Sequence, residues 1–425
     1  MRTQQIFQHN FTQKQLLHWA ENEEVFVLLD SNHYPFQSQS FDYIIALGVE
    51  KEINLSEEKD TFQNLESFQQ STKDCIFGYF SYDLKNDVEP SLFSRNQDNL
   101  NFPALYFFQP KKILFVKNQQ ITFSYLEKYK SEIVVDFNTI QKIKTSESTL
   151  QRIDLEGKTS KKEYIQNVKQ IQQKIQQGEV YEVNYCIEFF QKNAKINPLE
   201  TFAQLNSQSK TPFASFFKIY QHYIISASPE RFLQKTDNQI IAQPIKGTRK
   251  RGETKEEDEK LIKDLQSSEK ERAENIMIVD LVRNDLSKIA TKNSVKVKEL
   301  CKVYSFEKIH QMISTVTCEV LPEISPIQII KQNFPMGSMT GAPKISAMKI
   351  IDSIENHKRS VYSGALGYFT PNNDFDFNVV IRTLLYNTEN QHLSISVGSA
   401  ITALSNPEEE YDECITKVQS VANLF

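Results

Sequence analysis

Four short apolar runs in the first third of the chain, at residues 25–29, 43–47, 104–108 and 113–116, most strongly limit the folds open to it. Each is rich in Val, Ile, Leu, Phe or Tyr, and polar or turn-forming residues separate them. That pattern predicts short strands in an antiparallel sheet. No uninterrupted apolar run reaches the length that spans a bilayer. The polar start Met1-Arg-Thr-Gln-Gln has no signal-peptide core. A cytoplasmic, membrane-free location is expected.

The second half adds a helical period. Ser160-Lys-Lys-Glu163 is a capping box. Tyr164, Val168, Ile171 and Ile175 follow it at helical spacing, and Gly178 marks the end. The many glutamines between them read as the wet face of that helix. Strand-like segments at residues 180–190, 223–227, 240–242, 377–386 and 393–397 then alternate with helices. No repeat of fixed period stands out. A polar stretch, residues 142–162, reads as a linker between a β-rich region (1–150) and a larger domain (151–425). Both are expected to form one folded unit. The fold class expected is α+β: a large two-part antiparallel β-sandwich-like core with helices packed outside.

Composition narrows the function classes. The 49 basic and 54 acidic residues leave a net charge of -5, so no basic excess points to nucleic acid. The five cysteines are scattered without a Cys-x-x-Cys pair and read as free thiols in a reducing compartment. Only 11 glycines occur, and seven of them follow residue 201. Glycine used so sparingly marks places where backbone geometry or a close approach requires it, which directs attention to the second half.

Lys246 lies in Gln243-Pro-Ile-Lys246-Gly-Thr248, an apolar setting closed by glycine. A lysine held in a tight, partly apolar turn can lose its proton and act as a nucleophile. Further on, Ser268-x-x-Glu271 caps a helix on which Met277, Ile278 and Leu281 share the face of Glu274. A carboxylate on an apolar face needs a cation or hydrogen bonds. On spacing alone Glu274 is either paired with an arginine or a metal ligand. Pro407 opens a last helix, where Glu413 and Lys417 form an i,i+4 pair that reads, unaided, as an exposed salt bridge.

Residues 334–344, Phe-Pro-Met-Gly-Ser-Met-Thr-Gly-Ala-Pro-Lys, feed a helix. The stretch is either an anion cradle at a helix N-terminus or a plain helix-start turn, and its spacing is not that of a Walker loop. Arg382, flanked by strand formers, suits a carboxylate of a substrate or of a structural ion pair. Glu230 in Ser228-Pro-Glu230-Arg231 is either a general acid or a strand-end surface carboxylate. The histidines, His310 among them, show no metal spacing.

Together these segments resemble the chorismate-binding domain of the chorismate-utilising enzymes, over roughly residues 161–425. The most specific pieces are Pro-Ile-Lys-Gly-Thr (244–248), Arg-Ala-Glu-Asn through Arg-Asn-Asp (272–285), Gly-Ser-Met-Thr-Gly-Ala-Pro-Lys (337–344), Ile-Arg-Thr (381–383) and Glu-x-x-x-Lys (413–417). The first 150 residues resemble the family's N-terminal region only loosely. Residues 27–32 stand where relatives keep a tryptophan-binding segment, and they depart from the feedback-regulated pattern.

The resemblance implies that Glu274 and Glu413 hold one Mg²⁺, which grips the ring carboxylate of chorismate. It implies substrate contacts from Gly247, Thr248, His310, Gly337, Ser338, Tyr368, Arg382, Gly398, Ala400 and Lys417. Lys246 would attack C2 of the ring while the C4 hydroxyl leaves with a proton from Glu230; ammonia would then add at C4. Lysine in this slot marks the aminodeoxychorismate-forming branch, since anthranilate-forming relatives carry alanine. One departure is Glu182, where ammonia-using relatives carry glutamine and water-using ones carry lysine; it either guides ammonium or is tolerated. The chain has no glutaminase-like cysteine, so a separate glutamine amidotransferase is implied, and a different protein would remove pyruvate. Anthranilate formation and a non-catalytic chorismate- or tryptophan-binding role are the competing readings.

Overall fold

The computed structural model describes residues 1–34, 41–56, 59–94, 96–145 and 152–422. Two antiparallel sheets share the long strand Leu105–Lys117. The first continues through Tyr43–Leu55, Val25–Asp30, Phe213–Ile219, His222–Ser228, Thr383–Asn387 and His392–Ile401 to Glu182–Gln191. The second leaves the shared strand through Ile76–Phe80, Ala365–Phe369, Phe375–Val379, Arg231–Thr236 and Gln239–Gln243 to Ile309–Glu319. That last strand also pairs with Ile245–Lys250 and Lys296–Ser305. Strands from before residue 150 therefore pair directly with strands from after it.

Alternation along a strand explains the continuous apolar runs. Val25 and Val27 enter a core between the sheets, with Tyr79, Leu233 and Phe377. Phe26 and Leu28 point the other way. There the helical residues Leu16, Tyr164, Ile171, Phe202 and Val418 cover them. Both faces of the first sheet are buried, so both sets of side chains are apolar, each contributing about 1.5–3 kcal/mol. Helices do pack outside a two-sheet core, as expected. Among the described residues no helix is long and apolar enough to cross a membrane.

Two strand expectations change. Residues 104–108 and 113–116 belong to one strand, Leu105–Lys117, rather than two. Pro110 falls where that strand exchanges Ile76–Phe80 for Gln120–Leu126 along one edge. Its missing N–H costs least in such a gap. Conversely, residues 377–386 are not one strand. Phe375–Val379 belongs to the second sheet and Thr383–Asn387 to the first, and Arg382 between them has φ +52°. The chain changes sheets there, and the change sets Arg382 at the junction.

The predicted helix cap is present: Ser160 Oγ accepts from Glu163 N at 3.3 Å at the head of Lys161–Gln176. Of the expected linker, residues 146–151 lie outside the described residues.

Candidate active site

Lys246 stands on a β-bulge. The register of Ile245–Lys250 against Ile309–Glu319 shifts between Ile245 and Thr248. Gly247 at the shift has φ +89°, which glycine takes without strain. A bulge re-aims the adjoining side chain. Lys246 Nζ donates to Glu182 Oε1 at 3.1 Å, and the two side chains are 12% and 1% exposed. Burial pushes the Lys246 pKa down, but Glu182, Glu274 and Glu230 push harder the other way, and the net shift is upward. In the free protein Lys246 is an ammonium.

Glu230, between His222–Ser228 and Arg231–Thr236, is 5% exposed, which removes the surface-carboxylate alternative. Burial raises its pKa to about 7, against the opposing pull of Ser338, Lys246 and the Ile245 backbone. A glutamate that keeps its proton near neutrality can donate it.

Glu274 lies on the helix Glu269–Ser287, whose cap Ser268 accepts from Glu271 N at 3.4 Å. The buried stripe of that helix is Asn275, Ile278, Val279, Asp285 and Leu286. It is turned slightly from the expected Met277, Ile278 and Leu281, and Glu274 borders it. Burial raises the Glu274 pKa to about 7, with Lys246 and Lys270 opposing the rise. No arginine pairs with it: among the described residues its carboxylate has no hydrogen-bond or ion-pair partner. Glu413, on Pro407–Ala422, is 52% exposed and lies 2.6 Å from Lys417 Nζ, the i,i+4 pair read from spacing. Burial pushes the Glu413 carboxyl up, but Lys417, Lys270 and Lys246 bring it to a net lowering. Both glutamates thus feel Lys246 and Lys270.

This donor set fits magnesium. Carboxylates are the hard oxygen ligands the ion takes one or two at a time, completing its shell with water and substrate oxygens. Glu274 is a half-buried carboxylate without a partner of its own. Among the described residues no cluster of three or more His, Cys, Asp or Glu side chains could hold a metal, so a metal here would need oxygens from outside the protein.

The turn Gly337–Met339 leads into the helix Lys344–Ile354. A Cβ on Gly337 would lie 2.6 Å from Leu281 Cδ2, so glycine lets the turn meet the Glu274 helix. Buried Arg359 braces the turn: Nη1 donates to Met339 O at 2.7 Å, and Nη2 donates to Asn184 O at 2.8 Å and to Glu355 Oε1 at 2.6 Å. This brace went unread, although Glu355-x-x-x-Arg359 has the spacing of a helical ion pair. Ser338 is buried beside Glu230, whose carboxyl it helps to hold down. A cleft of about 350 Å³ is lined by Glu230, Pro244, Val282, Gly337 and Ser338, among others. Gly337 and Ser338 thus border the same cleft as Glu230.

The Arg382 side chain makes no hydrogen bond or ion pair among the described residues, and burial alone lowers its pKa. The structural-ion-pair alternative is therefore absent, and the guanidinium is available to a carboxylate. Lys417 Nζ donates to Gly398 O at 2.8 Å, joining the last helix to His392–Ile401. Ala400 sits on that strand opposite Asn184.

Three expected substrate contacts are placed differently. His310 is fully buried, with Nδ1 on Ser305 Oγ and Nε2 on Asp258 Oδ1, both at 2.8 Å, so neither ring nitrogen is free. Tyr368 lines a separate open cleft with Asp30, Ser31, Phe41 and Asp376. Thr248 is exposed, just past the bulge.

The chain belongs to the chorismate-binding enzyme family, whose model matches residues 24–423. Over 381 residues it is 36% identical to the chloroplastic aminodeoxychorismate synthase of Arabidopsis thaliana, which covers 84% of this chain and 41% of that protein. The chain thus spans about two fifths of that relative's length. It is 31% identical over 436 residues to aminodeoxychorismate synthase component 1 of Escherichia coli (strain K12), covering 97% of this chain and 94% of that one. The solved structure of anthranilate synthase component I from Streptococcus pneumoniae TIGR4 matches with a TM-score of 0.76 at 23% identity, over 99% of this chain and 92% of that one. At that identity the likeness bears on fold alone.

Proposed function

We propose that this protein aminates chorismate at C4 to give 4-amino-4-deoxychorismate, the precursor of p-aminobenzoate and folate. Ammonia comes from a separate glutamine amidotransferase subunit. The observation that carries the reading is Lys246 on its bulge, next to a buried glutamate, Glu230, that keeps its proton near pH 7. The names of the Arabidopsis and E. coli relatives support it. Five free cysteines suit a reducing cytoplasm.

In this reading Arg382 and the Gly337–Ser338 turn hold the substrate carboxylates. Lys246 Nζ, once deprotonated, forms a bond to ring C2. The C4 hydroxyl leaves as water with the Glu230 proton. Ammonia then bonds to C4, and Lys246 departs with its electron pair. Glu274 and Glu413 would hold Mg²⁺, which supplies charge neutralisation for the ring carboxylate when bound. The test is a product assay of the purified chain with chorismate, Mg²⁺ and an ammonium salt. Aminodeoxychorismate, converted to p-aminobenzoate on adding a lyase, is the expected product. Fluorescent anthranilate in its place would contradict the reading.

A further inference from the structure

Lys246 cannot attack as an ammonium, and its hydrogen-bond acceptor is Glu182 Oε1, 3.1 Å away. Glu182 is 1% exposed, and its second oxygen is buried with no hydrogen-bond donor among the described residues. The Glu182 charge is therefore held by a single hydrogen bond, the one from Lys246. Further exclusion of water by a bound substrate penalises the charged pair more than the neutral pair.

We propose that Glu182 is the proton acceptor that converts Lys246 into a nucleophile. The proton moves from Nζ to a Glu182 oxygen and the N–H bond electrons stay on nitrogen as the attacking lone pair. On expulsion Lys246 recovers a proton from Glu182, which closes the cycle without an outside base. The other charged groups facing the pair are Glu230 from the end of the His222–Ser228 strand, Glu274 from the helix Glu269–Ser287 and Glu413 from the helix Pro407–Ala422. None of them forms a hydrogen bond or ion pair with Lys246 among the described residues, so Glu182 alone stands at transfer distance. This proposal rests on the nucleophile reading above and extends it to a residue where ammonia-using relatives carry glutamine.

The test is single-turnover formation of the chorismate adduct, followed by intact mass from pH 6.5 to 8.5 with Mg²⁺ and no ammonium. Glu182→Gln keeps the size and an acceptor oxygen but cannot take the proton. Its lysine must then lose the proton to solvent, so the variant-to-wild-type rate ratio should rise with pH, by up to about tenfold per unit while Lys246 stays mostly protonated. Taking the ratio cancels the Glu230 titration. Glu182→Asp, which restores a carboxylate, should return the profile toward that of the wild type and also controls for folding. A flat ratio overturns the role of Glu182 and leaves the adduct intact. No adduct in the wild type overturns the nucleophile reading, and this proposal with it.

Discussion

Glu182 and Lys246 meet as a buried ion pair at 3.1 Å although 64 residues separate them in the chain. The pair sets the resting charge of the site: the lysine is charged, and in the proposed reaction it must first lose that charge. Lys246→Ala removes the attacking atom while leaving the bulge, because Gly247 still supplies the positive φ. Aminodeoxychorismate formation should fall at least about a hundredfold. Chromatography of the products checks this, and unchanged turnover would rule the lysine out.

Glu230 should impose the upper limit on pH. As the proton donor proposed above it would act in its protonated form, and burial raises its pKa to about 7. Activity should hold below that value and decline as pH rises through it. Glu230→Gln should abolish this descending limb and lower the rate by about 10²–10⁴. The same shift bears on stability. The folded pKa lies above the unfolded one, so this stabilising contribution is complete below about pH 4.5 and is lost as pH rises through 7. Thermal melts of wild type and Glu230→Gln should diverge in favour of the variant between those values.

Glu274→Gln should shift the Mg²⁺ activation curve to at least about tenfold higher concentration and weaken chorismate binding with it. A titration of activity against Mg²⁺ at saturating chorismate reads the first effect. An unaltered curve would remove Glu274 from the ligand set.

Arg382→Lys keeps the charge but loses the fork that binds a carboxylate through two bonds. KM for chorismate should rise about 10- to 100-fold, the worth of a charge-assisted hydrogen bond, and kcat should change less.

Arg359→Met tests the brace behind the turn. The variant leaves Glu355 buried without its cation, which costs about 3–5 kcal/mol. Denaturant unfolding should show this loss. A difference below about 1 kcal/mol would mean that other contacts hold the Gly337–Met339 turn.

What the sequence disclosed follows from the range of each signal. Helix starts are local, and Ser160 and Ser268 cap the helices their spacing predicted. The run through Pro110 and the break at Arg382 depend on which strands lie alongside, so the apolar pattern misjudged both. Lys246, Glu230 and Glu274 were legible as residue types needing partners. The Lys246 charge state was not, because the carboxylate that sets it comes from a strand far upstream and apolar neighbours alone suggested a neutral amine. The partners of His310 were hidden for the same reason: Asp258, which occupies one of its nitrogens, comes from a helix 52 residues earlier in the chain.

The central claim is that Lys246 bonds to the substrate. Its most direct test is intact-protein mass spectrometry after chorismate and Mg²⁺ are added without ammonium, followed by peptide mapping. The account predicts an added mass equal to chorismate less one water, located on Lys246 and discharged when ammonium is supplied. A protein that turns chorismate over yet never carries that mass, or carries it on another residue, would contradict it.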